Sequence, residues 1–251
     1  MPHPTQTSNF VPFDDLLPML TPYGREFFEI EFGRGKETYL KRIDHVGLCG
    51  LGKVLDAGGG IGQWALALAE TNQQVEVLDQ MSDRLLTGYT LARRSGIQNI
   101  SFRYGSIEAL PYPDAYFDGI ICYSVMMFAD GNKSAREFAR VLKPGGKLYV
   151  MIDLWRWYAV QMTTKFGWRS SLKLFAKRLL RGQPQFYTSA SFSKLVSGSG
   201  FVIVSQGQEG HASFESSNLA RAGHYSFFPT QPKGREQLWE ICAIRHLRPK
   251  Q

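Results

Sequence analysis

The feature that most constrains the fold is a glycine-rich segment at residues 53–63, K-V-L-D-A-G-G-G-I-G-Q. The apolar run before the glycines predicts a buried parallel strand, and W-A-L-A-L-A-E after them predicts a helix. Glycines between a strand and a helix allow positive φ and let a ligand approach the backbone without meeting a Cβ. The N–H groups that begin such a helix favour polar or anionic ligand groups. The segment therefore predicts an α/β fold with a ligand site after the first strand.

The spacing of the glycines narrows the choice of ligand. Gly58, Gly60 and Gly62 form G-x-G-x-G, whereas a pyrophosphate-binding turn carries its third glycine at the position of Gln63. Asp56 ends the strand, where a carboxylate would repel a pyrophosphate and attract an ammonium or sulfonium group. The pattern disfavours a nicotinamide-dependent oxidoreductase and favours another adenosine-containing ligand.

A second acidic residue follows the next apolar run, V-E-V-L-D-Q at residues 75–80. Asp79 comes roughly 20 residues after the glycine turn, where doubly wound folds hold ribose hydroxyls. The alternative is that Asp79 caps the following helix, but Ser82 can fill that role. The ribose role is the preferred interpretation.

With two further segments, the chain resembles the class I S-adenosylmethionine-dependent methyltransferases, in particular the UbiE-like small-molecule group. Y-G-S-I-E-A-L-P-Y-P-D-A-Y-F-D-G-I-I-C-Y-S at residues 104–124 resembles the end of the family's third strand, its linker and its fourth strand. A-R-E-F-A-R-V-L-K-P-G-G-K-L-Y-V-M at residues 135–151 resembles its helix, proline-glycine turn and fifth strand. The resemblance spans residues 53–153, about two fifths of the chain.

The resemblance implies a Rossmann-like, seven-stranded, mostly parallel sheet with helices on both faces. Residues 1–46 would form an N-terminal helical cap that either closes over the cofactor or packs against the sheet edge. Residues 47–251 would form the methyltransferase domain, with insertions at about 154–187 and 207–235, and the whole chain would be a single structural domain. A helix, a glycine stop and a sixth strand are expected over residues 188–205, and a last strand over residues 237–245.

The resemblance also implies S-adenosylmethionine as the cofactor and a contact for each of its parts. Residues 56–62 would face the methionine portion, Asp79 the ribose, residues 80–81 the adenine, and the backbone at residues 122–123 the amino group. The implied cofactor-binding residues are Asp56, Gly58, Gly60, Gly62, Asp79, Gln80, Met81, Ser106, Ile107, Cys122 and Tyr123.

One position departs from the family pattern. Ser106, followed by Ile107, stands where the family often has an aspartate for the adenine amino group. A serine oxygen still accepts a hydrogen bond, though less strongly than a carboxylate. This departure keeps open a second function, a regulatory or non-catalytic protein that binds S-adenosylmethionine.

The net charge of +7 comes from the first insertion. Residues 154–208 contain eight Lys and Arg and no Asp or Glu, and the remaining 21 basic residues nearly balance the 22 acids. Within this region, residues 168–181 place apolar and basic side chains in two stripes of an amphipathic helix. Such a helix could be a solvated surface helix, a basic lid over an anionic acceptor, or a contact of residues 165–181 with an acidic membrane. No recognised RNA-binding motif accompanies the basic residues, so an RNA methyltransferase is disfavoured.

Transfer of an activated methyl group mainly requires alignment of the acceptor and exclusion of water, and a general base assists a hydroxyl acceptor. His211 and His224, in the second insertion, are the predicted catalytic residues because histidine titrates near neutrality. Asp153 and Tyr158 are further candidates. The predicted acceptor is a bulky small molecule, aromatic or apolar in part, methylated on oxygen or nitrogen, and anionic and lipid-like acceptors are included.

The remaining features concern compartment and metal. No acidic cluster has metal-ligand spacing, so no metal is expected. The N-terminal residues lack a basic start followed by an apolar run, and no apolar stretch is long enough for a membrane span. Cys49, Cys122 and Cys242 are scattered, which is typical of reduced thiols in a cytoplasmic protein. Nothing in the sequence specifies the oligomeric state.

Overall fold

A computed structural model describes residues 16–164, 185–228 and 231–247 of the chain. Within these ranges the strands are β1 Lys53–Ala57, β2 Gln74–Asp79, β3 Ile100–Tyr104, β4 Phe117–Tyr123, β5 Leu142–Asp153, β6 Phe201–Gln208 and β7 Leu238–Arg245. The α-helices are α1 Pro22–Gly33, α2 Lys36–Val46, α3 Gln63–Thr71, α4 Ser82–Arg94, α5 Gly131–Val141, α6 Trp155–Thr164 and α7 Ser189–Gly198.

The seven strands form one open sheet in the order β3-β2-β1-β4-β5-β7-β6. Neighbouring strands from β3 to β5 are parallel, and β7 runs antiparallel to both β5 and β6. The chain fills one side of β1 first, with β2 and β3, and then continues on the other side with β4. Ligands of open α/β sheets bind outside the carboxyl ends of the strands at such a switch point. The Rossmann-like prediction is confirmed, and the candidate site lies at the carboxyl ends of β1 and β4.

Both faces of the sheet are covered, which explains why the central strands read as continuous apolar runs. Alternate residues of β4 point to opposite faces, because side chains alternate along a strand. Ile120 belongs to a core cluster that includes Phe138 of α5 and Phe192 of α7. Ile121 belongs to the cluster on the other face, which includes Trp64 of α3 and Tyr39 of α2. Burial of each such large apolar side chain contributes about 1.5–3 kcal/mol.

The N-terminal helical prediction is confirmed for α1 and α2, while residues before 16 lie outside the described ranges. α2 packs beside α3, with the ring of Tyr39 edge-on to that of Trp64 at a centroid distance of 5.1 Å. The predicted helix, glycine stop and strand at residues 188–205 are α7, Gly200 with a φ of +96°, and β6. The last predicted strand is β7.

The expected proline-glycine turn before the fifth strand is wrong in one respect. β5 begins already at Leu142, which pairs with Phe117, so Lys143–Gly146 lies inside the strand. The next paired residues are Gly119 and Lys147, so the additional residues are accommodated as a bulge. Gly145 has a φ of +78°, a conformation that glycine adopts without strain.

The two insertions differ in how much of them is described. The first contributes α6, whereas the whole of the predicted contact segment 165–181, with the basic helix 168–181, lies outside the described residues. The second contains a 3-10 helix, Ser216–Arg221, within otherwise irregular backbone. Across the described portions of the chain, every helix is too short or too polar to cross a lipid bilayer.

Candidate active site

The glycine turn after β1 has the backbone conformation that its sequence predicts. Gly58, Gly60 and Gly62 have φ angles of +79°, +56° and +85°, which side-chain-bearing residues rarely adopt. A Cβ on Gly58 would lie 2.5 Å from a methyl carbon of Val125, so this position also lacks space for a side chain. A Cβ on Gly60 would meet nothing closer than 3.7 Å, which leaves the backbone of the turn open to a ligand.

Asp56 lies beneath this turn and is almost completely buried. The backbone N–H of Ala65, in the first turn of α3, hydrogen-bonds to its carboxylate, while Oδ2 has no hydrogen-bond partner among the described residues. Burial raises the pKa of Asp56 to about 8, and the nearby charge of Asp79 adds to the shift. An unpaired buried carboxyl beside an open turn fits a ligand that brings a positive charge, as an ammonium or sulfonium group does.

Asp79, at the end of β2, is tied to the same turn. Its Oδ2 accepts a hydrogen bond from the N–H of Gly60 at 2.9 Å, and its Oδ1 accepts one from the N–H of Met81 at 2.8 Å. A carboxylate accepts about four hydrogen bonds, so acceptor positions remain for ribose hydroxyls. The side chains of Gln80 and Met81 are exposed beside it.

The segment at Ser106 lies next to Asp79, because the N–H of Gly105 donates to the carbonyl oxygen of Asp79 at 3.0 Å. The hydroxyl oxygen of Ser106 accepts a hydrogen bond from the N–H of Glu108 at 3.1 Å, and Ile107 is buried. The serine thus closes a local turn and retains its own hydroxyl hydrogen as a donor. The adenine contact predicted for Ser106 and Ile107 stays a prediction.

The carboxyl end of β4 connects the glycine turn to β5. Cys122 is buried, Tyr123 ends the strand, and Ser124 follows with a φ of +58°, which is uncommon for a residue with a side chain. Val125 then packs against Gly58. A strained conformation in the middle of a candidate site is typical of functional positions.

Ser124 directs its hydroxyl to Asp153, the last residue of β5. Its Oγ donates a hydrogen bond to Oδ1 of Asp153 at 3.0 Å. Asp153 is buried, and burial raises its pKa to about 7, while the Ser124 hydrogen bond opposes the increase. A carboxyl group with a pKa near neutrality suits a general base.

A cluster of mostly buried aromatic rings, here called the aromatic wall, packs around Trp64 near the glycine turn. Trp64, at the start of α3, lies 4.9 Å from Tyr123 and 5.5 Å from Phe227 between ring centroids. Phe227 also contacts Tyr39 at 5.3 Å, and the guanidinium of Arg34 lies 4.9 Å above its ring. The rings therefore join α2, α3, β4 and the second insertion. Sequence reasoning did not identify this wall, because its members lie far apart along the chain.

A buried charged cluster lies behind the aromatic wall and was also missed. Arg42 of α2 pairs with Glu240 of β7, and the Tyr149 hydroxyl bonds to both. Glu209, directly after β6, lies 3.5 Å from Arg42 and accepts a hydrogen bond from the Tyr123 hydroxyl at 3.3 Å. Burial and the charge of Glu240 raise the pKa of Glu209 to about 7, against the lowering effect of Arg42. The available sequence signal was Glu240, a charged residue within the apolar run L-W-E-I-C-A-I of β7.

A pocket of about 120 Å³ lies at the start of β7. Leu238, which lines the pocket, is the residue of β7 that pairs with Asp153, and Asp153 itself does not line it. The other lining groups are the rings of Trp157 and Phe228, the amide side chains or backbones of Gln208, Gln231 and Gln237, and Glu209. The pocket is thus partly aromatic and partly polar.

The two predicted catalytic histidines lie on the second insertion. His211 is half-buried, with Nδ1 3.3 Å from the carbonyl oxygen of Glu209, and the side chain of His224 is exposed. Tyr158 is buried in α6. The hydroxyl of Ser124, by contrast, bonds directly to Asp153. The catalytic role of the histidines stays a prediction. Asp153 is the candidate base that is linked to the glycine turn, through its hydrogen bond with Ser124 and the contact of Val125 with Gly58.

Comparison with known proteins is consistent with this site. A family model described as a methyltransferase domain matches residues 54–146. The chain is 37% identical over 102 residues to the uncharacterized methyltransferase YcgJ of Bacillus subtilis, a match that covers 40% of each protein. It is 39% identical over 104 residues to the ubiquinone/menaquinone biosynthesis C-methyltransferase UbiE of Shewanella frigidimarina, covering 39% of this chain and 41% of that protein.

Similarity of fold extends further than similarity of sequence. The geranyl diphosphate C-methyltransferase of Streptomyces coelicolor, solved with Mg²⁺, geranyl diphosphate and S-adenosyl-L-homocysteine, superposes with a TM-score of 0.61 at 16% identity. That superposition covers 94% of this chain and 89% of the other. In sequence, the matches span about two fifths of the length of the curated relatives.

Proposed function

Because the chain contains a domain of the class I S-adenosylmethionine-dependent methyltransferase family, we propose that it transfers the methyl group of S-adenosylmethionine to a small-molecule acceptor. One observation carries the proposal. Val125 packs against the glycine turn, and its neighbour Ser124 binds the buried carboxyl of Asp153. The glycine turn and a candidate base therefore both contact the two residues that follow β4.

The residues around the turn are suited to hold the cofactor. Asp56 offers an unpaired buried carboxyl to the positively charged methionine portion, and Asp79 offers free acceptor positions to the ribose. The exposed Gln80 and Met81 are placed to lie against the adenine. When bound, S-adenosylmethionine supplies a methyl group on a positively charged sulfur, whose carbon–sulfur bond breaks with the electron pair remaining on sulfur.

Asp153 is the proposed general base for an oxygen or nitrogen acceptor. Its ionised carboxylate accepts the proton of the acceptor's O–H or N–H group as that atom forms its bond to the methyl carbon. Ser124 holds Oδ1 in place, and the proton then leaves Asp153 to solvent when the product departs. His211 and His224 remain the alternative bases that the sequence predicts.

The pocket at the start of β7 supports an acceptor that is bulky and aromatic or apolar in part. Trp157, Phe228 and Leu238 provide apolar surface, and the glutamines provide polar groups. The names of the relatives, which refer to quinone biosynthesis and geranyl diphosphate, are in line with such acceptors. They also name carbon as the methylated atom, so carbon methylation is the second candidate reaction.

Three further points belong to the proposal. The cytoplasm is the proposed compartment, since Cys49, Cys122 and Cys242 are free thiols, as expected in a reducing environment. A contact of residues 165–181 with an acidic membrane remains a prediction, and nucleic acid remains a disfavoured partner. A regulatory protein that binds the cofactor without transferring methyl is the alternative function.

Two measurements test the proposed function. Calorimetry should show binding of S-adenosylmethionine and no comparable binding of NAD. Methyl-labelled S-adenosylmethionine, incubated with the protein and an extract of the source cells, should then label a small molecule in the aqueous or the lipid fraction, with extract lacking the protein as the control. Binding without label transfer in either fraction would favour the regulatory alternative, and absence of binding would reject both.

A further inference from the structure

We propose that Glu209 is a positioning residue of the transfer site. Its carboxylate holds Tyr123 and Phe227 together as one wall facing the acceptor, and it acts through these two residues without touching the cofactor or the reacting atoms. The inference rests on the proposed methyl transfer and identifies a residue that organises the acceptor side of the same site.

The two oxygens of Glu209 bind residues from different parts of the chain. Oε1 accepts the hydrogen bond of the Tyr123 hydroxyl at 3.3 Å and lies 3.5 Å from Arg42. Oε2 accepts a hydrogen bond from the backbone N–H of Phe227 at 2.9 Å. One carboxylate thus connects the end of β4 to residues 209–228, here called the acceptor loop.

The backbone of Glu209 contributes to the same arrangement. Its carbonyl oxygen accepts a hydrogen bond from the hydroxyl of Ser226 at 2.6 Å, and the N–H of Gly223 donates to the carbonyl oxygen of Gly210 at 2.7 Å. These bonds bring the end of the acceptor loop back to its beginning. The ring of Phe227 is thereby placed among Tyr39, Trp64 and Tyr123.

Glu209 is not needed to neutralise the charge of Arg42, because a second buried acid, Glu240, lies closer to the same guanidinium. Glu240 already pairs closely with Arg42, and the Tyr149 hydroxyl donates to it at 2.8 Å. Glu209 is a second acid beside the same guanidinium, at a longer distance, and burial of an additional charge is unfavourable unless hydrogen bonds compensate it. Its compensating bonds go to the Tyr123 hydroxyl and the backbone N–H of Phe227, both of the aromatic wall. Glu209, the second acid of the cluster, therefore binds the aromatic wall.

The aromatic wall adjoins the candidate site through its neighbours along the chain. Tyr123 is next to Ser124, which binds Asp153, and Trp64 directly follows the glycine turn and Gln63. Glu209 also lines the pocket at the start of β7, together with Phe228. A shift of Tyr123 or Phe227 would change the surface against which the acceptor packs, while the glycine turn and Asp79 would keep their own hydrogen bonds. Loss of Glu209 should therefore weaken acceptor binding more than cofactor binding.

Ionisation of Glu209 should strengthen its individual bonds to the aromatic wall, although burial of the charge lowers the stability of the fold. The charged form is an acceptor for all three donors, Arg42, Tyr123 and the Phe227 N–H, and charge-assisted bonds are stronger than neutral ones. Because burial raises the pKa of Glu209 to about 7, acceptor affinity should improve as pH rises through neutrality. The charged and titratable groups that face it are Arg42 on α2, Tyr123 on β4, Tyr149 on β5, Glu240 on β7 and, at its carbonyl, His211.

The test uses Glu209→Gln and Tyr123→Phe, alone and combined, in the full-length protein. Label transfer from methyl-labelled S-adenosylmethionine is measured over a dilution series of source-cell extract at saturating cofactor. Each single variant should raise the half-saturating amount of extract roughly fivefold or more, as expected for a lost hydrogen bond to a charged group. The double variant should be no worse than the more impaired single variant, because both changes remove the same bond.

Three controls distinguish a positioning role of Glu209 from a general loss of structure. Glu215→Gln, at an exposed glutamate of the acceptor loop, should leave half-saturation unchanged. Calorimetry should show the same affinity for S-adenosylmethionine in wild type and Glu209→Gln. In the wild type, half-saturation should improve between pH 6 and pH 8, and this step should be missing in Glu209→Gln. If Glu209→Gln does not fold, Tyr123→Phe, which keeps the ring, provides the same test.

Different results would reject the positioning role of Glu209 and the proposed methyl transfer. Unchanged half-saturation in Glu209→Gln or in folded Tyr123→Phe, or equal losses of cofactor and acceptor affinity, would overturn the positioning role. In that case the wild type would still transfer label. Absence of label transfer by the wild type would instead reject the proposed methyl transfer, on which the inference rests.

Discussion

Among single residues, Asp153 and Ser124 illustrate how a candidate base is prepared. Burial disfavours the charged form of Asp153, and the hydroxyl of Ser124 partly compensates by hydrogen-bonding to Oδ1. The resulting pKa of about 7 leaves a large fraction ionised at neutral pH while keeping the group basic enough to accept a proton. The left-handed backbone of Ser124 is what directs its hydroxyl to this carboxyl.

We predict that Asp153→Asn lowers the maximal rate of label transfer roughly 100-fold or more, because an amide cannot accept the proton. Affinity for S-adenosylmethionine, measured by calorimetry, should be unchanged. Asp44→Asn, at an exposed aspartate of α2, is the matched control and should retain the wild-type rate.

The pH profile provides the second part of this test. The rate should rise with pH through about 7 as Asp153 ionises. Ser124→Ala removes a donor to the ionised carboxylate, so the pKa of Asp153 should increase and the midpoint of the profile should move to higher pH. A full rate in Asp153→Asn would transfer the role of base to His211 or His224, or show that the reaction needs none.

Among the secondary-structure elements, the strand–turn–helix unit of β1 and α3 combines two requirements. Its three glycines adopt positive φ, and the turn stays open at Gly60. Gly96, which follows α4, has a φ of +71°, and a Cβ there would meet no atom within 4 Å, compared with a nearest contact of 3.7 Å at Gly60. These two glycines therefore share their backbone strain but differ in their distance from the candidate site.

We predict that Gly60→Ala and Gly96→Ala destabilise the fold to a similar extent, about 1–2 kcal/mol each, because both force alanine into the left-handed region. Only Gly60→Ala should weaken the binding of S-adenosylmethionine, by roughly tenfold, since its Cβ would project beside Asp79 into the ligand space. Thermal unfolding and calorimetry on both variants provide the comparison. Equal cofactor affinity in the two variants would contradict the placement of the cofactor at this turn.

In the molecule as a whole, three buried carboxyl groups make stability depend on pH. The pKa is raised to about 8 for Asp56 and to about 7 for Asp153 and Glu209, in each case mainly by burial. The folded state therefore binds protons that the unfolded state releases above about pH 4. This contribution to stability is present at acid pH and is lost as pH rises through 7 and 8.

We predict that the midpoint of thermal unfolding of the cofactor-free protein decreases by about 5 °C between pH 6 and pH 8. The net charge of +7 provides a contrast, since reduced repulsion at higher pH would increase stability instead. Asp153→Asn should have a smaller decrease than the wild type, whereas the exposed Asp44→Asn should match it. A midpoint that stays constant or rises in the wild type would show that these carboxyls do not control stability.

Most of the fold could be predicted from the chain, because its determinants are local. Apolar runs of strand length, a glycine turn and the helix pattern after it specify β1 and α3 within a few residues of one another. The Lys143–Gly146 segment was misplaced because proline and glycine indicate a turn and a strand bulge equally well. Asp56 and Asp79 could be proposed as site residues because each lies at the carboxyl end of a strand whose direction was already predictable.

The remaining parts of the site depend on which distant segments fold against each other. Arg42 and Glu240 are 198 residues apart, Tyr123 and Glu209 are 86 apart, and Ser124 and Asp153 are 29 apart. No local sequence pattern predicts such pairs. A buried charge acquires its partner, and the pKa of a carboxyl is shifted, only when segments from different parts of the chain pack together. Local sterics and hydrophobic periodicity thus specified the strand, the turn and the family of the methyl donor, whereas long-range packing specified the candidate base, the aromatic wall and the acid that holds it.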